Sequence, residues 1–132
     1  MVEDKKWCAF GKFGMVRPVM LDLTNGGWVS IQKVEGQSTM HRHTAAVTVR
    51  TLDGAGGYRE HDWVARAGSF ANGPAGHIYT LYSDPAAGKM TALIHAFGRR
   101  IYVDKRGTPS TRTMFFAPGL LHQALPRAAY ER

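Results

Sequence analysis

The chain has 132 residues, 44% of them hydrophobic, which is the size of one domain able to bury its own core without disulfides or structural metals. Seventeen Lys and Arg against ten Asp and Glu leave a formal net charge of +7. The basic residues are spread along the chain, with Lys5-Lys6, Arg99-Arg100 and Lys105-Arg106 the densest groups and no interleaving with aromatics, so the charge reads as a solvated surface rather than a nucleic-acid or membrane partner. Cys8 has no intrachain partner and no N-terminal apolar run is long enough for a signal peptide or a span, so the expected location is the cytoplasm.

Residues 1–27 are expected to form an N-terminal strand or arm. Within them "KKWCAFGKFGMV", at 5–16, mixes aromatic and basic residues suited to covering a sheet edge of a second copy, so a homodimer is expected. Strand-type runs follow: "GWVSIQKV" at 27–34, "AAVTVRTL" at 45–52, "YREHDWV" at 58–64, "IYTLYS" at 78–83, "MTALIHAF" at 90–97 and "IYV" at 101–103, each rich in β-branched and aromatic residues. Turn signals separate them, among them "VEGQ", "RAGS", "NGPAG" and "DKRGTP", and "LDGAGG" at 52–57 reads as a hairpin between two strands. Short strands with regularly spaced turns predict an antiparallel sandwich or barrel. The "TPSTR" stretch at 108–112 reads as a mobile loop, and "LLHQALPRAAYER" at 120–132 as a short helix or turn interrupted at Pro126, within a C-terminal extension spanning 108–132.

The chemistry concentrates in "TMHRHTAAVTVR" at 39–50. Strand side chains alternate between faces, so His41 and His43 point the same way as Ala45, Val47 and Val49, opposite Arg42, Thr44, Thr48 and Arg50. Two imidazoles on the apolar face suggest a metal. His95 alternates with Leu93 and Phe97 and reads as a core histidine, His122 falls outside the candidate site, and Trp28 and Trp63 are expected to pack the sandwich. No Gly-x-Ser-x-Gly elbow or phosphate-binding loop is present.

Two glycine-marked frames surround these residues. The first runs Gly36, four residues, His41-Arg42-His43, three residues, Val47, six residues, Gly54; the second runs Gly68, five residues, Pro74-Ala75-Gly76, two residues, Tyr79, three residues, Ser83. They resemble the two motifs of the cupin superfamily, although valine stands where that family has a glutamate ligand and Tyr79 where it has a histidine. The stretch "GGYREHDWVARAGSFANGPAGHIYTL" at 56–81 is similar to the branch containing 2,4'-dihydroxyacetophenone dioxygenase and acetylacetone-cleaving dioxygenase, with its Tyr-x-Glu-x-Asp-Trp signature.

The resemblance covers about residues 28–107. It implies an all-β, single-domain cupin, an antiparallel jelly-roll β-barrel over 1–132, with the carboxylate ligand moved to Glu60. The implied metal ligands are His41, His43, Glu60 and His77, with Tyr79 as the alternative to His77. Tyr58 and Tyr79 are the catalytic candidates. Such donors suit one divalent ion, Fe(II) first, with Zn(II), Ni(II) or Mn(II) as alternatives, and leave room for a small-molecule substrate. The implied function is a mononuclear non-heme Fe(II) dioxygenase cleaving a C–C bond of a small ketone or diketone. The alternatives are a redox-neutral metal-dependent isomerase, cyclase or dehydratase, and a non-catalytic small-ligand-binding or sensor cupin.

Overall fold

The structure, a computed structural model, describes residues 7–10 and 12–114. In chain order the strands are β1 (Cys8–Phe10), β2 (Gly14–Leu21), β3 (Trp28–Val34), β4 (His41–His43), β5 (Val47–Tyr58), β6 (Ala65–Arg66), β7 (Phe70–Gly73), β8 (Ile78–Tyr79), β9 (Leu81–Ser83), β10 (Met90–Ala96), β11 (Arg100–Val103) and β12 (Pro109–Met114). One sheet runs β1-β2-β3-β10-β5-β6, with β7 and β9 also paired to β5; the second runs β12-β11-β4-β8. Pairing is antiparallel throughout these ladders, and the fold is the expected all-β jelly roll. Among the described residues no helix is long and apolar enough to cross a membrane.

The core follows the period of two. In β10, Met90, Ala92, Ile94 and Ala96 are buried and the residues between them half-buried. Ile94 lies opposite Ser30 of β3 and Val49 of β5, and Ala96 opposite Trp28 and Val47. Burying that shared face against the second sheet closes the core.

Three expectations are corrected. "LDGAGG" is no hairpin: it is the middle of β5, which runs from Val47 to Tyr58. A bulge at Leu52 shifts the β5–β10 register, and beyond Gly54 (φ 72°) the strand leaves β10 to pair with β6 and β9. Because that strand consumes Tyr58, "YREHDWV" is not a strand. Residues 59–62 form a turn closed by the His61 amide donating to the Tyr58 carbonyl at 3.0 Å. Finally, 108–112 is not a loop, since β12 pairs with β11 through a tight turn in which the Asp104 carboxylate accepts from the amides of Arg106 (2.8 Å) and Thr108 (2.9 Å). The 120–132 segment and His122 lie outside the described residues.

Candidate functional site

Strand β4 lies between β11 and β8, and the registers place His43 opposite Arg100, and His41 opposite both Tyr102 and Tyr79. Registered neighbours share a face, so His41, His43, Tyr79, Arg100 and Tyr102 project from the same side of the second sheet. That side is the interior: His41 is 5% exposed, His43 2%, Tyr79 1% and Arg100 7%. Parity therefore placed the paired imidazoles inward; Val47 and Val49 are buried too, but on β5 of the facing sheet, because the expected strand over 39–50 breaks at a bend over 44–46. The two rings meet edge to face with centroids 5.2 Å apart. Trp28, from the facing sheet, stands 6.3 Å from His43 and carries the Arg100 guanidinium 5.1 Å above its ring. At the end of β5, the Tyr58 ring lies 4.5 Å from that of Tyr79.

Burial, and then the positive charge of Arg100, push the imidazole of His41 down to about 3 and that of His43 down to about 2, so both are neutral at physiological pH. His41 Nδ1 lies 2.9 Å from the Thr39 carbonyl, which can only accept, so the proton sits on Nδ1 and Nε2 carries the lone pair. His43 Nδ1 is buried without a hydrogen-bond partner. Burial pulls the Arg100 guanidinium down, opposed by Tyr102, which accepts a hydrogen bond from it, and by Tyr58. A guanidinium stays protonated even so. Burial raises the phenols of Tyr58 and Tyr79, with Tyr79 adding to the effect on Tyr58 and Glu60 to that on Tyr79. Both are therefore hydrogen-bond donors rather than phenolates.

The remaining predicted residues lie elsewhere. Glu60 sits exposed in the turn after β5, its Oε2 accepting from the Thr80 amide (2.9 Å) and its Oε1 from the Thr80 hydroxyl (2.6 Å). Glu60→Ala is expected to cost about 1 kcal/mol, read as a lower urea midpoint, because a charged acceptor of two hydrogen bonds is lost at a partly hydrated site. His77 is exposed, its ring 6.4 Å from that of Tyr79. His95 is not a core residue: it lies half-buried on the outer face of β10, stacked 3.8 Å from Phe97. Trp28 packs the interior as expected. Trp63 packs on one side only: its ring meets that of the buried Tyr58 at 5.7 Å, while the residue is 37% exposed and stacks on His61 at 5.8 Å.

This arrangement does not fit the metal that the motifs imply. Among the described residues no three His, Cys, Asp or Glu side chains gather. Two imidazoles meet, the expected carboxylate is held by Thr80, the expected third imidazole is exposed, and a buried guanidinium beside the pair opposes a dication. Sequence reasoning missed Arg100 and Tyr102. The alternation of "RRIYV" gives no signal for them, since it sets Ile101 and Val103 on one face and Arg100 with Tyr102 on the other, which by hydropathy is the outer one.

No family model and no curated protein matches the chain. Among solved structures, an RmlC-like cupin from Ralstonia eutropha JMP134 is 28% identical with a TM-score of 0.75, over 84% of this chain and 75% of that one. A cupin-like protein of unknown function from the same organism is 21% identical, TM-score 0.73, over 90% and 74%. An acetylacetone dioxygenase from Acinetobacter johnsonii is 13% identical, TM-score 0.75, over 92% and 89%. With both glycine frames in place around a curled antiparallel barrel, the chain is a member of the cupin superfamily, of the RmlC-like jelly-roll type.

Proposed function

We propose that this cupin binds a small, oxygen-rich organic molecule, such as a ketone or diketone, in the barrel interior. The observation that carries the reading is the polar character of a face that would otherwise be core: His41, His43, Ser30, Gln32 and Arg100 are all buried, with Gln32 Nε2 donating to the Ser30 hydroxyl at 3.1 Å. Buried polar groups are costly unless they are satisfied, and a barrel interior that retains so many is better suited to a ligand than to packing. His41 Nε2 supplies an acceptor, and Tyr58 and Arg100 supply donors, which suits a keto-enol pair, while the Tyr79 hydroxyl donates to the Pro74 carbonyl at 3.4 Å. Titration calorimetry with acetylacetone is expected to show binding that His41→Ala and Tyr58→Phe each weaken about tenfold, with circular dichroism unchanged. Equal binding by wild type and both variants would remove the ligand from this interior.

A second reading, a mononuclear Fe(II) dioxygenase cleaving a C–C bond of such a ketone, is favoured by the His41 lone pair on Nε2, the orientation a metal ligand needs. The fold shared with the Acinetobacter johnsonii dioxygenase points the same way. Elemental analysis separates the two readings. Under the first, untagged protein carries no stoichiometric metal, and Glu60→Ala and His41→Ala leave its metal content unchanged. Near-stoichiometric iron, lost in His41→Ala and accompanied by oxygen uptake with a diketone, would put the dioxygenase reading in its place. Stoichiometric zinc, nickel or manganese without oxygen uptake would point to redox-neutral chemistry.

A further inference from the structure

The interior holds a full positive charge on a strand that neither cupin frame includes. Arg100 is 7% exposed, pairs in register with His43, hydrogen-bonds Tyr102 on its own strand and lies over the face of Trp28. Next to it, His43 is 2% exposed and its Nδ1 finds no hydrogen-bond partner. A neutral imidazole can carry its proton on that nitrogen and donate it. The neighbours in register on the same face are His41, Tyr79 and Tyr102, none of them a carboxylate. A guanidinium and an N–H in register on neighbouring strands of a low-dielectric interior make a recognition pattern for a planar oxyanion, whereas the same charge repels a dication.

We infer that the barrel interior is an oxyanion site in which Arg100 supplies the positive charge that a metal supplies in metal-dependent cupins, and that its ligand is a small organic mono-anion, a carboxylate or an enolate. This rests on the reading of the interior as a ligand site and names the class of ligand. Arg100 is the charge that selects the anion, His43 Nδ1 a second donor, and the Trp28 ring a fixed platform that holds the guanidinium against the sheet.

The test uses the full chain, stripped of metal with a chelator, and titration calorimetry with pyruvate against pyruvamide and benzoate against benzamide, each pair differing in charge at nearly constant shape. Each anion is expected to bind at least about tenfold more tightly than its amide. Arg100→Lys keeps a charge without the planar fork and is expected to narrow that preference; Arg100→Met is expected to abolish it in protein whose circular dichroism is unchanged. If anion and amide bind equally, the inference fails while the ligand-site reading stands. If acetylacetone, the acids and the amides all fail to bind folded protein, both fail. A preference that survives in Arg100→Met would take the selectivity away from Arg100. Should Arg100→Met not fold, the wild-type comparison and Arg100→Lys decide the matter.

Discussion

Metal-stripped protein is expected to lose about 3 kcal/mol of stability between pH 6.5 and pH 5, with the loss continuing below that. An imidazole in the unfolded chain titrates near 6.5, whereas burial and Arg100 hold His41 down to about 3 and His43 to about 2. The folded-state values are depressed, and for a base that means the neutral form is the one the fold accommodates. Between the two sets of values the unfolded chain binds more protons than the folded one. Stability is therefore fully present above about pH 7 and falls as the pH drops through the window from 6.5 towards 3. Two such groups give a slope approaching about 2.7 kcal/mol per pH unit, a large share of the total stability of about 5–15 kcal/mol usual for a domain. Urea midpoints measured from pH 7.5 to pH 4.5 check this, with His43→Gln expected to show roughly half the slope. A profile that stays flat to pH 5 in wild-type protein would mean that the imidazoles reach water and that the interior is open rather than dry.

How much of this could be read beforehand differs between elements. The histidine pair was legible because residues two apart in a strand share a face, which holds for His41 and His43 within β4; the extension of that face to Val47 and Val49 does not hold as one strand, since a bend at 44–46 carries the chain from β4 to β5 in the other sheet. The barrel was legible because its glycines fall at fixed spacings, and Gly36, Gly68 and Gly76 outside the strands, like Gly54 where β5 leaves β10, all adopt positive φ in the structure. The ligand set was not legible in the same way. The ligand role of Glu60 depends on a strand spanning 58–64, and that strand does not exist, because the residues before it are strand and not turn. Glu60 then lands in a turn, where its carboxylate finds the Thr80 amide and hydroxyl. By composition Arg100 is one half of a surface Arg-Arg pair, since composition alone gives no reason to bury a guanidinium. Only the pairing of β11 with β4, which is set by contacts across the barrel, brings it beside His43.

The same misread glycines yield the last large effect. Gly56→Ala is expected to destabilise the protein by about 3 kcal/mol or more, because at this position the β5 backbone runs against β9 and β10 with no room for a methyl group. A Cβ there would overlap the Tyr82 carbonyl oxygen and come within 2.5 Å of the Met90 sulfur. Met90 is 1% exposed and closes the core under β5, so neither neighbour yields without moving a strand or opening the interior. Gly36→Ala is the matched control: that glycine has a φ of 96° in a turn, and a Cβ there would meet nothing within 4 Å. Its cost is the left-handed backbone alone, about 1–2 kcal/mol. Were 52–57 a hairpin, both glycines would be turn residues and the two substitutions would cost alike. Thermal melts of the two variants separate these cases: a much larger loss for Gly56→Ala follows from a continuous strand carrying the chain from one sheet pairing to the next, and equal losses would return the segment to a turn and Glu60 to a strand facing the histidines.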